Sequence, residues 1–114
     1  MTDKKVIEAS KSLYGRTKWD LDNPSLPLDC SGLVVYAFKN GAGITLPHYT
    51  GSLLKMGTPV NRNELKAADL IFPNKHLVGI CLSNYQYIYV PNTGEELKIS
   101  NITDFYTGRR ILDN

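Results

Sequence analysis

With 114 residues, 42% of them hydrophobic and 21% charged, the chain has the composition of one globular domain with a real core and no room for a second. A net charge of +2, with no run of Lys or Arg longer than two, lacks the electrostatic footprint of nucleic-acid binding. A pI near 8.5 at most eases approach to an anionic surface such as a cell wall.

The longest apolar run, Leu33 to Phe38, is too short to span a bilayer, and Met1-Thr2-Asp3-Lys4-Lys5 lacks the apolar stretch of a signal peptide. The chain therefore reads as one delivered by a route other than general secretion, or as a domain cut from a longer protein. Its two cysteines do not require a disulfide scaffold, although a single Cys30–Cys81 bridge is the lesser alternative.

Thr2 or Asp3 caps a first helix that runs to about Tyr14, with Val6, Ala9, Ser10 and Leu13 as its inner stripe and Gly15 as its stop. Residues 16–29 are irregular and hold the only tryptophan, Trp19. Breakers at Asn23, Pro24, Ser25 and Pro27 lead into Asp29-Cys30, where the polar loop becomes an apolar helix that Gly41 and Gly43 end. Leu46-Pro47-His48-Tyr49-Thr50 turns into a short helix over residues 51–56, broken by Gly57 and Pro59, and residues 61–66 are a polar connection with one helical turn. Strands follow at 70–72, 76–82, 85–90, 96–99 and 109–112, the second and third forming a hairpin. Helices first and strands after, with antiparallel connections, predict an α+β fold with the helices on one side of an antiparallel sheet.

A thiol at a helix N-terminus sits beside unpaired N–H groups and the positive end of the dipole, which favours the thiolate. Position alone leaves Cys30 open as nucleophile or as a small packing residue. Strand alternation separates the two cysteines. His76, Val78, Ile80 and Leu82 share one face while Leu77, Gly79 and Cys81 share the other, so Cys81 is a core residue turned away from His76. Cys30 then has two candidate bases, His76 at the mouth of a strand and His48 in a loop. The spacing of Cys30, Cys81, His48 and His76 does not suit zinc, and no metal or cofactor is expected.

Leu28-Asp29-Cys30-Ser31-Gly32-Leu33-Val34 resembles the nucleophile motif of the NlpC-type cell-wall peptidases, a papain-like cysteine endopeptidase family. The resemblance continues through Gly43-Ile44-Thr45-Leu46-Pro47 with Thr50, and through residues 65–72, similar to a "pGDLvFf" strand entry. His76-Leu77-Val78-Gly79-Ile80 resembles "HVGIYl", residues 87–94 resemble "fiHAp..G", and Arg109-Arg110-Ile111 resembles the usual end. It implies one papain-like cysteine peptidase domain over residues 1–114, with the nucleophile at the start of the central helix.

The implied activity is hydrolysis of a peptidoglycan stem-peptide bond, from D-γ-glutamyl to diaminopimelate or lysine, through an acyl-enzyme on Cys30 with His76 as base. The enzyme would be a phage, conjugation or effector type lysin, monomeric or part of a larger protein or machine, acting on the extracellular or periplasmic wall. The strand position that usually carries a second histidine, which holds the catalytic imidazole in its working tautomer, carries Tyr89 here as the third catalytic position, and the family's "pYvWGG" segment is faint in Gly15-Arg16-Thr17-Lys18-Trp19-Asp20. Trp19, Asp29, Ser31 and His48 are the expected substrate-binding residues. The alternatives are a cell-wall-binding module of the same fold with impaired chemistry, and an acyltransferase or amidase using the same Cys–His pair.

Overall fold

A computed structural model describes residues 2–18 and 27–112. Helix α1 spans Thr2–Lys11 and buries Val6 and Ser10, with Leu13 buried in the turns that follow. It ends earlier than the apolar stripe predicts. The chain then closes through turns to Gly15, whose φ of 78° suits glycine.

Helix α2, Cys30–Ala42, buries Leu33, Val34, Ala37 and Phe38 completely, as its nearly all-round apolar sequence requires. Gly43, at φ 68°, donates its N–H to the Lys39 carbonyl while Ile44 donates to that of Phe38, a paired closure of the last turn. The expected stop at Gly41 is instead a crossing point. A Cβ there would stand 2.6 Å from the Val6 Cα, so glycine at this position lets α1 lie against α2.

Helix α3 is shorter than expected, Thr50–Leu53, and one 3₁₀ turn follows at Arg62–Glu64. Among the described residues six strands form one sheet: β1 Thr58–Val60, β2 Leu70–Asn74, β3 Leu77–Cys81, β4 Gln86–Tyr89, β5 Lys98–Asn101 and β6 Thr107–Arg110. Their order is β1-β6-β2-β3-β4-β5, with every pair antiparallel. Strand β1 was not expected, because Pro59 reads as a breaker. It lies at the sheet edge, paired only with β6, where a missing N–H is tolerated.

The helices cover one face of this sheet, over Leu70, Phe72, Val78, Ile80, Ile88 and Val90. A smaller cluster on the other face joins Val60, Leu65, Ile71, Cys81 and Tyr87. The entry to β2 is fixed by Asp69, only 2% exposed, whose two carboxylate oxygens accept from Arg110 Nε and Nη2 at 2.8 and 2.7 Å. This fork ties β6 to β2, and it raises the Arg110 pKa. The α+β arrangement is as the sequence predicts. It leaves the N-terminus of α2 over one end of the β3–β4 pair.

Candidate active site

The loop before α2 ends on Asp29 in extended backbone, and its Oδ1 accepts the Gly32 N–H at 2.7 Å. That N-cap contributes about 1 kcal/mol and fixes where the helix begins. The Leu33 N–H goes to the Asp29 carbonyl. The other two N–H groups of the first turn, on Cys30 and Ser31, are left without a partner in the helix. Cys30 is half-buried at this point. Its Sγ lies 3.6 Å from Thr50 Oγ1 and 3.8 Å from the backbone oxygen of His76, to which the thiol donates.

The same Asp29 oxygen meets His48 Nε2 at 2.9 Å and Ser31 Oγ at 3.4 Å. An ionised carboxylate only accepts, so His48 Nε2 carries the proton in this contact. A nitrogen that holds its proton against a carboxylate is not free to take one from a thiol. His48 is thus bound into the cap, and of the two candidate bases it is the less available to Cys30.

His76 has a different setting. The pairing of Asn74 with Leu77 makes Lys75-His76 a two-residue turn between β2 and β3, so His76 precedes the strand instead of beginning it. Its N–H is held by Asn74 Oδ1 at 2.8 Å, while its ring is exposed and makes no hydrogen bond among the described residues. Cys30 and His76 together line two adjoining cavities. One, of about 320 Å³, is completed by Asn74, Leu77, Val90, Pro91, Asn92 and Thr93. The other, of about 430 Å³, brings in Asp29, Ser31, His48, Tyr49, Thr50 and Lys75. Each side of the thiol therefore opens on a hollow large enough for a few peptide or sugar groups.

Tyr89 is not part of this arrangement. It packs with the cluster on the far face of the sheet, its ring stacked on that of Tyr87 with centroids 4.6 Å apart and planes 15° apart. Cys81 lies in the same cluster and is fully buried. Burial first, and the nearby Asp69 charge second, push its thiol up to about 12, so it is inert as the alternation predicted. Cys30 and Cys81 are both free thiols. Trp19 lies outside the described residues. Asn92 and Thr93 join the site without having been singled out in the sequence, and Thr50, named there only within the resemblance, joins them. The pattern of polar residues in the turn after β4 was the available signal. Among the described residues no group of three or more His, Cys, Asp or Glu side chains could hold a metal ion.

The model of the NlpC/P60 family matches residues 13–113. The chain belongs to that family. It is 33% identical over 103 residues to murein DD-endopeptidase MepH of Escherichia coli, covering 83% of this chain and 38% of MepH. The chain thus spans well under half of that relative. The NlpC/P60 fold is shared with the solved peptidoglycan hydrolase RipB of Mycobacterium tuberculosis, at a TM-score of 0.83 and 27% identity over 99% of this chain and 66% of the other. It is also shared with RipD of the same organism, described as a non-catalytic NlpC/P60 domain protein adapted to peptidoglycan binding, at a TM-score of 0.79 and 24% identity over 98% of each chain.

Proposed function

We propose that this chain is a cysteine endopeptidase domain that cuts the stem peptides of bacterial peptidoglycan at the cell wall. The observation that carries the reading is the half-buried Cys30 thiol at a capped helix N-terminus, sharing both cavities with His76. In the proposed reaction His76 takes the thiol proton and Cys30 Sγ attacks the peptide carbonyl. The oxyanion is met by the N–H groups of Cys30 and Ser31, donors already in place and therefore free of reorganisation cost. The imidazolium returns its proton to the leaving amine. Water, activated by the same ring, then releases the acyl group from sulfur.

Asp29, Ser31 and His48 wall the larger cavity and are the proposed substrate contacts. The bond implied by the sequence motifs joins D-γ-glutamyl to diaminopimelate or lysine, whereas MepH is named for a D,D bond. Fragment masses separate the two. A second reading, a wall-binding module without chemistry, is favoured by one observation: Tyr89 is turned away from Cys30.

The test is mass spectrometry of purified peptidoglycan incubated with wild-type protein or with Cys30→Ala. Wild type is expected to release stem-peptide fragments, and a folded Cys30→Ala to release them at least roughly 10⁴-fold more slowly. Equal release by Cys30→Ala sinks the thiol mechanism. A folded wild type that binds walls of several chemotypes and releases nothing establishes the binding module instead.

A further inference from the structure

We infer that Asn92 is the positioning residue for His76, the acceptor its imidazole N–H meets when the ring turns toward Cys30 in the cavity the three residues share. This rests on the reading of His76 as the base. The pairs Ile80 with Ile88 and Cys81 with Tyr87 fix the register of β3 against β4. Continued toward the turn, the same register sets Val78 against Val90 and His76 against Asn92. Val78, Ile80, Ile88 and Val90 all lie on the face that α2 covers, the face against which Cys30 packs. Tyr89 lies on the opposite face, and His76 and Asn92 stand just beyond the strands at the same end of the pair, one residue before β3 and three residues after β4. Both residues line the same cavity with Cys30.

The chemistry of the amide agrees. Asn92 Nδ2 donates to Glu95 Oε1 at 3.0 Å, which turns Oδ1 the other way and leaves it as an acceptor. An acceptor is what an imidazole N–H needs if its other nitrogen is to face the thiol. The turn itself is tied to the catalytic helix, because Gly94 donates its N–H at 2.8 Å to the carbonyl of Leu28, two residues before Cys30. Among the described residues, the titratable side chains that line the adjoining cavity beside the pair are Asp29, His48 and Lys75.

The experiment reads Cys30 directly, without a wall substrate. The full chain and its His76→Ala, Asn92→Ala and Asn92→Gln variants are alkylated with iodoacetamide between about pH 5 and pH 9, and labelling of each cysteine is followed by mass spectrometry. Buried Cys81 serves as the unlabelled control. His76→Ala is expected to slow Cys30 labelling in the acid half of the range. Asn92→Ala should produce a loss of the same shape, about tenfold, and vanishing toward the alkaline end. Asn92→Gln, with the same acceptor one methylene further out, should recover part of it.

If His76→Ala leaves the profile unchanged, the base assignment fails and the Asn92 inference with it. If His76→Ala changes the profile and Asn92→Ala does not, the base stands and Asn92 is refuted alone. A loss that is uniform with pH, or no smaller in Asn92→Gln than in Asn92→Ala, marks a merely structural turn residue and likewise overturns it.

Discussion

Between His76 and the run Val78-Gly79-Ile80 stands Leu77, and along a strand a single residue decides which face a side chain takes. The "HVGIYl" pattern that this stretch resembles has its histidine directly before Val-Gly-Ile, on the face of Gly79 and Tyr89. Here the extra residue moves the histidine out of β3 into the turn, and Leu77 takes the first strand position. Tyr89 keeps the place that the motif gives its second histidine, but its ring stacks on that of Tyr87 in the far-face cluster. Tyr89→Phe is therefore expected to leave wall hydrolysis within about twofold of wild type and, because the stacked ring is kept, to change stability by less than about 0.5 kcal/mol. A large loss of turnover in a fully folded Tyr89→Phe would show that its hydroxyl reaches the imidazole after all. Cys30 and Asp29 were legible because a cap and a helix start are local patterns. The positioning role proposed for Asn92 was not, because it depends on register across two strands.

At the level of elements, glycine and proline carried two meanings that the sequence does not separate. Gly41 and Pro59 both read as ends of structure, yet one lies inside α2 and the other inside β1. Each is explained by a neighbour distant in sequence. Gly41 faces the backbone of Lys5 and Val6 on α1, and Pro59 occupies an edge strand that needs only the one partner, β6. A methyl group at position 41 has only backbone to push against, so α1 must move as a body. Gly41→Ala is expected to lower stability by roughly 1–3 kcal/mol despite alanine's better helix propensity. Urea titration measures this. An unchanged or raised midpoint would mean that α1 contributes little to the packing of α2. The thiol end of α2 lies three turns away, so the folded fraction of this variant should keep its Cys30 reactivity.

For the whole molecule, the order of helices before strands was enough to give the α+β class, because each periodicity is read locally. The sheet order was not legible. The last strand, β6, inserts between β1 and β2, and the fork from Arg110 to Asp69 that secures it joins residues far apart in the chain. That far-side layer also sets how the fold responds to alkali. Burial pushes both the Cys81 thiol and the Tyr87 phenol up to about 12, with Asp69 adding to the first, and with Tyr89 and Asp104 adding to the second.

Both groups are neutral when protonated, so a raised value means that the folded state holds its proton longer than the unfolded chain does. Their contribution is complete below the unfolded values near about 8.5 and 10 and is lost as pH rises from there toward about 12. Wild-type stability should therefore fall over that window. Cys81→Ala removes one of the two groups. It should be less stable than wild type near neutral pH, through the lost buried sulfur, but lose roughly 2–3 kcal/mol less than wild type between about pH 8 and pH 10.5. Urea midpoints of the two proteins at both pH values decide it. Parallel losses would mean that the thiol ionises as readily in the folded protein as in the unfolded chain, and that the far-face cluster is open to water.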